Sequence, residues 1–241
     1  MNTLSDPMPT LTAEANRQKR VLVVGGSRGL GAAMVRLYAA DGWEVHATLR
    51  KPPADPKTAG LPEGVRLHPL EMRDLAQAKA LGEAFAGVPL DLLIIAAATF
   101  DKVGGFGNGP PVPEEEVFDV NVEAPMRVAE ALFASLRAAA PARMVFMSSA
   151  AGIRAGGRTL STYGRSKAKL NDLIQEYAGE WAYYGVIGIA LHPGWVSTDM
   201  GGARAPITPE QSAADMVQVI SRLTPDHCGM FLDHKGNALP L

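Results

Sequence analysis

The chain holds one cysteine, Cys228, among its 241 residues. A single thiol excludes an internal disulfide and cannot build a metal cluster alone, which fits a reducing compartment. Neither sign of charge is in excess: 23 basic and 25 acidic side chains leave a formal net charge of −2. That removes the electrostatic case for nucleic acid or an anionic membrane surface as a partner. Long apolar runs are missing as well, none approaching a membrane span. Met1 to Arg20 are polar and lack the apolar core of a signal peptide. We expect residues 1–18 to be a flexible leader, followed by one domain over 19–241, in a cytoplasmic protein. Hydrophobic residues at 47% suffice for a sizeable core.

What is present is a regular alternation. Apolar β-type runs at Val21–Val24, Glu44–Leu49, Val65–Leu70, Asp91–Ala97, Met144–Met147, Val186–Leu191 and Met230–Leu232 alternate with helical patterns. The helices are expected at Ala32–Ala40, Leu75–Phe85, Glu114–Ala139, Thr162–Tyr184 and Pro209–Leu223. Strands that are apolar throughout, each followed by a helix, imply a parallel sheet covered on both faces. The fold class is α/β, a single Rossmann-type doubly wound sheet, with ligands at the carboxyl ends of the strands. Val103–Pro113 and Gly201–Pro209 read as loops at that end.

Gly25-Gly26-Ser27-Arg28-Gly29-Leu30-Gly31 follows the first strand and opens the first helix. Glycines there permit a tight turn and close approach of a pyrophosphate, which rests on the helix N-terminus. The spacing G-x-x-x-G-x-G differs from G-x-G-x-x-G, and no Gly-Lys-Ser/Thr follows to make a P-loop. The second strand ends Leu49-Arg50-Lys51 without the acid that binds a ribose 2′-hydroxyl. Arg28 and Arg50, with no competing carboxylate, can clamp a 2′-phosphate, so NADP(H) is preferred, with NAD(H) possible.

Tyr163 and Lys167 stand one helical turn apart and face the same side. A phenol with a pKa of about 10 handles protons poorly at neutral pH, and a cation close by lowers it by roughly 1–3 units. The positions four after Tyr38, Tyr177, Tyr183 and Tyr184 are Gly42, Trp181, Ile187 and Gly188, so no other tyrosine has this help. Alone, the pair is better read as a surface helix with a buried tyrosine edge and a solvated lysine.

Together these motifs resemble the short-chain dehydrogenase/reductase family. The resemblance runs from about Lys19 to Leu241 and includes Ser148-Ser149, Asn121 within Phe118-Asp119-Val120-Asn121-Val122, and His192-Pro193-Gly194-Trp195-Val196-Ser197-Thr198-Asp199-Met200. Ala47-Thr48-Leu49-Arg50 and the terminal Gly-Asn-Ala-Leu-Pro-Leu are similar to the carbonyl-reductase-like subgroup of sniffer and C-factor proteins. The resemblance implies Tyr163 as general acid or base, with Lys167 lowering its pKa and holding the nicotinamide ribose. It implies Ser149, the second of its pair, as donor to the substrate oxygen, and Asn121 as the residue that orients a relay water. Cofactor contacts would fall to Gly25, Ser27, Arg28, Gly29, Leu30, Gly31, Arg50, Glu71, Met72, Ala97, Tyr163, Lys167, Pro193, Gly194, Val196 and Thr198. No metal is implied.

Ile95-Ala96-Ala97-Ala98 departs from the family's Asn-Asn-Ala-Gly and removes an amide that ties the central sheet, leaving cofactor contacts there to backbone atoms of Ala97. The short segment between Met200 and Thr208 implies an open cleft. Arg154, Arg158 and Arg204 are expected on its rim, and Gly104-Gly105-Phe106-Gly107-Asn108-Gly109 has the composition of a lid. The expected activity is hydride transfer between NADP(H) and a small carbonyl or alcohol. The alternative is a nucleotide-binding regulatory protein with little turnover. The family's habit of pairing through its two long helices implies a homodimer or homotetramer.

Overall fold

Short runs that are apolar at every position need cover on both faces, and the chain supplies it. The computed structural model describes residues 17–101, 111–156 and 159–241. Its strands are β1 (Arg20–Val24), β2 (Glu44–Leu49), β3 (Arg66–Pro69), β4 (Leu92–Ile95), β5 (Ala142–Met147), β6 (Val186–His192) and β7 (Phe231–Asp233). They pair in parallel in the order β3-β2-β1-β4-β5-β6-β7. The sheet order reverses between β1 and β4, which opens the ligand crevice at their carboxyl ends.

The helices are α1 (Gly29–Ala40), α2 (Leu75–Ala84), α3 (Glu114–Phe118), α4 (Ala124–Arg137), α5 (Thr162–Tyr183) and α6 (Pro209–Ser221). Successive strand residues point to opposite faces. Leu22, Val24, Leu93 and Ile95 therefore pack with α2, α4 and α5, whereas Val21, Val23, Leu92 and Ile94 pack with α1 and α6. The elements match the expected ones with ends moved by a few residues. The exception is the helix expected over 114–139, which is α3, a π-helical turn at Asp119–Glu123, and then α4.

Of the expected leader, residues 1–16 lie outside the described residues. Arg17 grips Asp91 with two bonds of 2.6 and 2.8 Å, and Gln18 donates to Gly42 O at 2.8 Å. Both residues are thus tied to the ends of the sheet's connecting segments. No helix among the described residues is long and apolar enough to cross a membrane.

Candidate active site

The glycine turn is built as its composition requires. Gly25 has φ +85°, and a Cβ there would come within 2.8 Å of the Ala97 backbone nitrogen. A Cβ on Gly31 would lie 2.2 Å from Gly25 O. Either side chain would push the turn apart. Gly25 N–H donates to Thr48 Oγ1 and Gly26 N–H to Thr48 O, both at 3.1 Å, which docks the turn on the end of β2. Arg28 is the N-cap residue of α1, with extended backbone and no side-chain cap. The first amides of the helix, at Gly29, Leu30 and Gly31, so concentrate positive potential beside exposed Ser27. This cradle fits a pyrophosphate.

The residues expected around the adenosine half divide. Arg50 is exposed at the end of β2 and makes no ion pair among the described residues. Arg28 does: its Nη1 donates to Asp199 Oδ2 at 2.5 Å. The expectation that no carboxylate competes for the two arginines is thereby corrected, because the loop after β6 brings one in. Met72 is a core residue, 7% exposed, and Glu71 is tied through its backbone N–H to Gln77 Oε1 at 2.7 Å. Ala97 spends its N–H on Val24 O at 3.0 Å, so its nitrogen is not available to a cofactor.

Of the residues expected beside the nicotinamide, Pro193 O accepts from Ser212 Oγ at 2.7 Å, and Val196 is buried and bridges Ile207. Thr198 lies against the glycine turn, since a Cβ on Gly29 would sit 3.3 Å from its methyl carbon. Trp195 is half exposed, its Nε1 donating to Gly201 O at 2.8 Å.

Ser149, Tyr163 and Lys167 meet where β5 ends. Ser149 leaves the strand into a 3-10 turn, Ala150–Gly152, with its Oγ accepting from Ala151 N–H at 3.1 Å. Ser161 caps α5 by accepting from Gly164 N–H at 3.1 Å, which places Tyr163 in the first turn and Lys167 one turn later. Two glycines let turn and helix touch: a Cβ on Gly152 would be 2.8 Å from Ala168 N, and one on Gly164 2.6 Å from Ala151 O. Lys167 is 2% exposed, and its Nζ donates to Met147 O at 2.9 Å while lying 5.7 Å from the centre of the Tyr163 ring. The ring of Phe100 packs edge-on against Tyr163 at 5.1 Å.

The electrostatics of the pair run opposite to expectation. Burial pushes the Tyr163 phenol up to about 12, with a side-chain hydrogen bond to Ser149 pulling the other way. Burial pulls the Lys167 ammonium down to about 7. A lysine close to losing its charge does not hold the phenol down, so in the protein alone desolvation outweighs the cation.

Asn121 sits in the π-helical turn, fully buried. Its Oδ1 accepts from Thr99 N–H at 2.8 Å, and its Nδ2 donates to Thr99 O at 2.9 Å and Ser166 Oγ at 3.0 Å. Both amide hydrogens are committed, and the side chain staples the exit of β4 to α5. This staple, with Thr48 at the glycine turn, ties the region that the alanines of 96–98 leave without an amide. A parallel staple escaped the sequence reading: Ser148 Oγ donates to buried Asn171 Oδ1 at 2.6 Å, one turn beyond Lys167. Their signal was the repeat Tyr163, Lys167, Asn171 at four-residue steps.

The expected rim changes too. Arg154 is neutralised by a bidentate pair with Asp172 at 2.8 and 2.6 Å. Arg204 lies among the described residues on the loop before α6, whereas Arg158 and the glycine-rich segment 104–109 lie outside them. No group of three or more His, Cys, Asp or Glu among the described residues could hold a metal ion.

A glycine cradle on α1 and a serine, tyrosine and lysine at the next strand ends but one are the arrangement of a nucleotide-dependent oxidoreductase fold. The chain belongs to the short-chain dehydrogenase/reductase family: the family model for short chain dehydrogenase matches residues 19–207. An uncharacterized oxidoreductase of Schizosaccharomyces pombe is 30% identical over 92% of this chain and 98% of its own length. The C-signal protein of Myxococcus xanthus is 32% identical over 63% of this chain and 93% of its own. Among solved structures, the NADPH-bound carbonyl reductase from chicken fatty liver superposes with a TM-score of 0.79 at 29% identity, covering 93% of this chain and 95% of that one. The chain is thus similar both to a carbonyl reductase and to C-signal.

Proposed function

We propose that the protein transfers a hydride between NADP(H) and a small carbonyl or alcohol, with Tyr163 as general acid and base. The observation that carries this reading is the convergence of Ser149, Tyr163 and Lys167 at the end of β5, across the crevice from the uncapped N-terminus of α1. The NADPH held by the chicken-liver relative supports the cofactor, as do exposed Arg50 and Arg28.

Bound NADPH would supply the hydride to the carbonyl carbon. The chain's own part is proton handling. A phenol held near 12 keeps its proton at neutral pH; it is a weaker acid than an ordinary phenol, but the alkoxide that forms as hydride arrives is a stronger base than the phenolate, so the proton moves to that oxygen. Ser149 stabilises that oxygen by hydrogen bonding. Lys167, poised near 7, takes up or releases a proton at little cost when Tyr163 is restored from solvent. The test is NADPH oxidation with a panel of aldehydes and ketones. We expect turnover that Tyr163→Phe lowers by at least about 100-fold, the range for a general acid, with nucleotide binding retained. A Tyr163→Phe protein as active as the wild type defeats the assignment.

The similarity to C-signal favours a second reading, nucleotide binding with little turnover, and the same panel distinguishes it: binding without oxidation of NADPH on any carbonyl. As part of the same proposal, α4 and α5 pair two or four copies, through faces on which Tyr177 and Tyr183 are exposed. Solution mass by light scattering decides it.

A further inference from the structure

The loop after β6 crosses the glycine turn at two successive points. Thr198 packs on Gly29, and Asp199 pairs with Arg28. Arg28 is thus claimed by a carboxylate 171 residues away in sequence. Both side chains are 72% exposed, so the pair is accessible and is not part of the core. Arg50, at the adjacent strand end, has no such partner among the described residues.

We propose that Asp199 is a specificity-determining residue that competes with the 2′-phosphate of NADP(H) for Arg28. This rests on the nucleotide site argued above. A guanidinium presents a planar fork that one carboxylate or one phosphate can fill, but not both at full strength. An exposed ion pair is weak, so Asp199 does not block the site. A dianionic phosphate with three acceptor oxygens displaces it, at the cost of breaking the pair and of carboxylate repulsion at close range. A nucleotide without a 2′-phosphate has nothing to exchange for Asp199 and leaves the pair closed. Asp199 therefore narrows the margin between the two cofactors, and it couples occupancy of the adenosine end to the loop that carries Pro193, Gly194 and Thr198 at the nicotinamide end. When Asp199 lets go of Arg28, Thr198 still rests against the turn at Gly29.

The test is direct binding, by calorimetry or tryptophan fluorescence, of NADPH and NADH separately to the wild type, Asp199→Asn, Arg28→Ala and the double variant. Asparagine keeps the size of Asp199 and removes its charge at an exposed position, so the fold is not at stake. We expect Asp199→Asn to tighten NADPH by about three- to tenfold, as loss of an exposed ion pair and a like charge allows, and to leave NADH within about twofold. The gain should fall in the presence of Arg28→Ala to the small part that the like charge alone contributes. Equal tightening of both nucleotides, no change in either, or a gain undiminished by Arg28→Ala overturns the proposal. A wild-type protein that binds neither nucleotide fails the reading of the site itself, a result distinct from the other three.

Discussion

Lys167 shows how far one buried side chain can set conflicting demands. Removal from water pulls its pKa from 10.5 to about 7. Between these values the unfolded chain binds more protons than the folded one, so stability rises with pH across that window. Below about 7 the lysine is charged in both states and its burial penalty is present in full. Tyr163 has the opposite sign: folded, it keeps its proton to about 12, so its contribution falls as pH climbs above the ordinary phenol value of 10. We expect Lys167→Met to raise the melting temperature by several degrees at pH 6–7, an advantage that shrinks toward pH 10, while turnover is lost. The lost bond to Met147 O offsets part of the gain, by about 1 kcal/mol. Thermal melts of both proteins from pH 6 to 10 check it; a variant less stable than the wild type throughout would show that Lys167 is held as a structural cation.

Among the elements, the interrupted helix between β4 and β5 is the informative one. Apolar spacing continues through Glu114–Arg137, so the sequence reads as one helix, and a π-helical turn has no composition of its own by which to announce itself. Its purpose is visible only in three dimensions: the extra residue per turn swings Asn121 inward to staple Thr99 and Ser166. The central strands β1, β4 and β5 were easier, because a parallel strand buried on both faces is almost wholly apolar, and that leaves a direct trace. The staple's worth follows from what its loss would strand. Asn121→Leu leaves the Thr99 N–H and carbonyl without their partner in a half-buried setting, and a buried group so stranded costs about 1–3 kcal/mol. We expect a loss of about 2–5 kcal/mol in urea unfolding, with reduced turnover, since Ser166 and Thr99 flank Tyr163 and the crevice. A loss under about 1 kcal/mol would mean that the turn holds without the amide.

At the scale of the whole molecule, the site is a meeting of strand ends distant in sequence, and that limits what can be read from the chain. Tyr163, Lys167 and the glycine turn were legible because each is a local pattern with local physics. The Arg28–Asp199 pair and the Ser148–Asn171 staple were not, since pairing across the crevice depends on a loop path that no local spacing encodes. The same geometry makes nucleotide binding a global event. The cradle draws on β1, α1, the end of β2 and the loop after β6, elements backed by both core clusters on the two faces of one sheet. A ligand that binds only the folded state stabilises by RT ln(1 + [L]/Kd), about 2.7 kcal/mol at 100 times Kd. For a domain of this size each kcal/mol moves the melting temperature by about 2–4 °C. NADPH at such a concentration should therefore raise a single transition by about 5–10 °C, and NADH at the same concentration by less, because it gains nothing from Arg28 and Arg50. Arg50→Ala should close most of that gap by lowering the NADPH shift alone. Equal shifts from the two nucleotides would mean that neither arginine reads the 2′-phosphate, and that the exposed side chain at the end of β2 is only a solvated strand end.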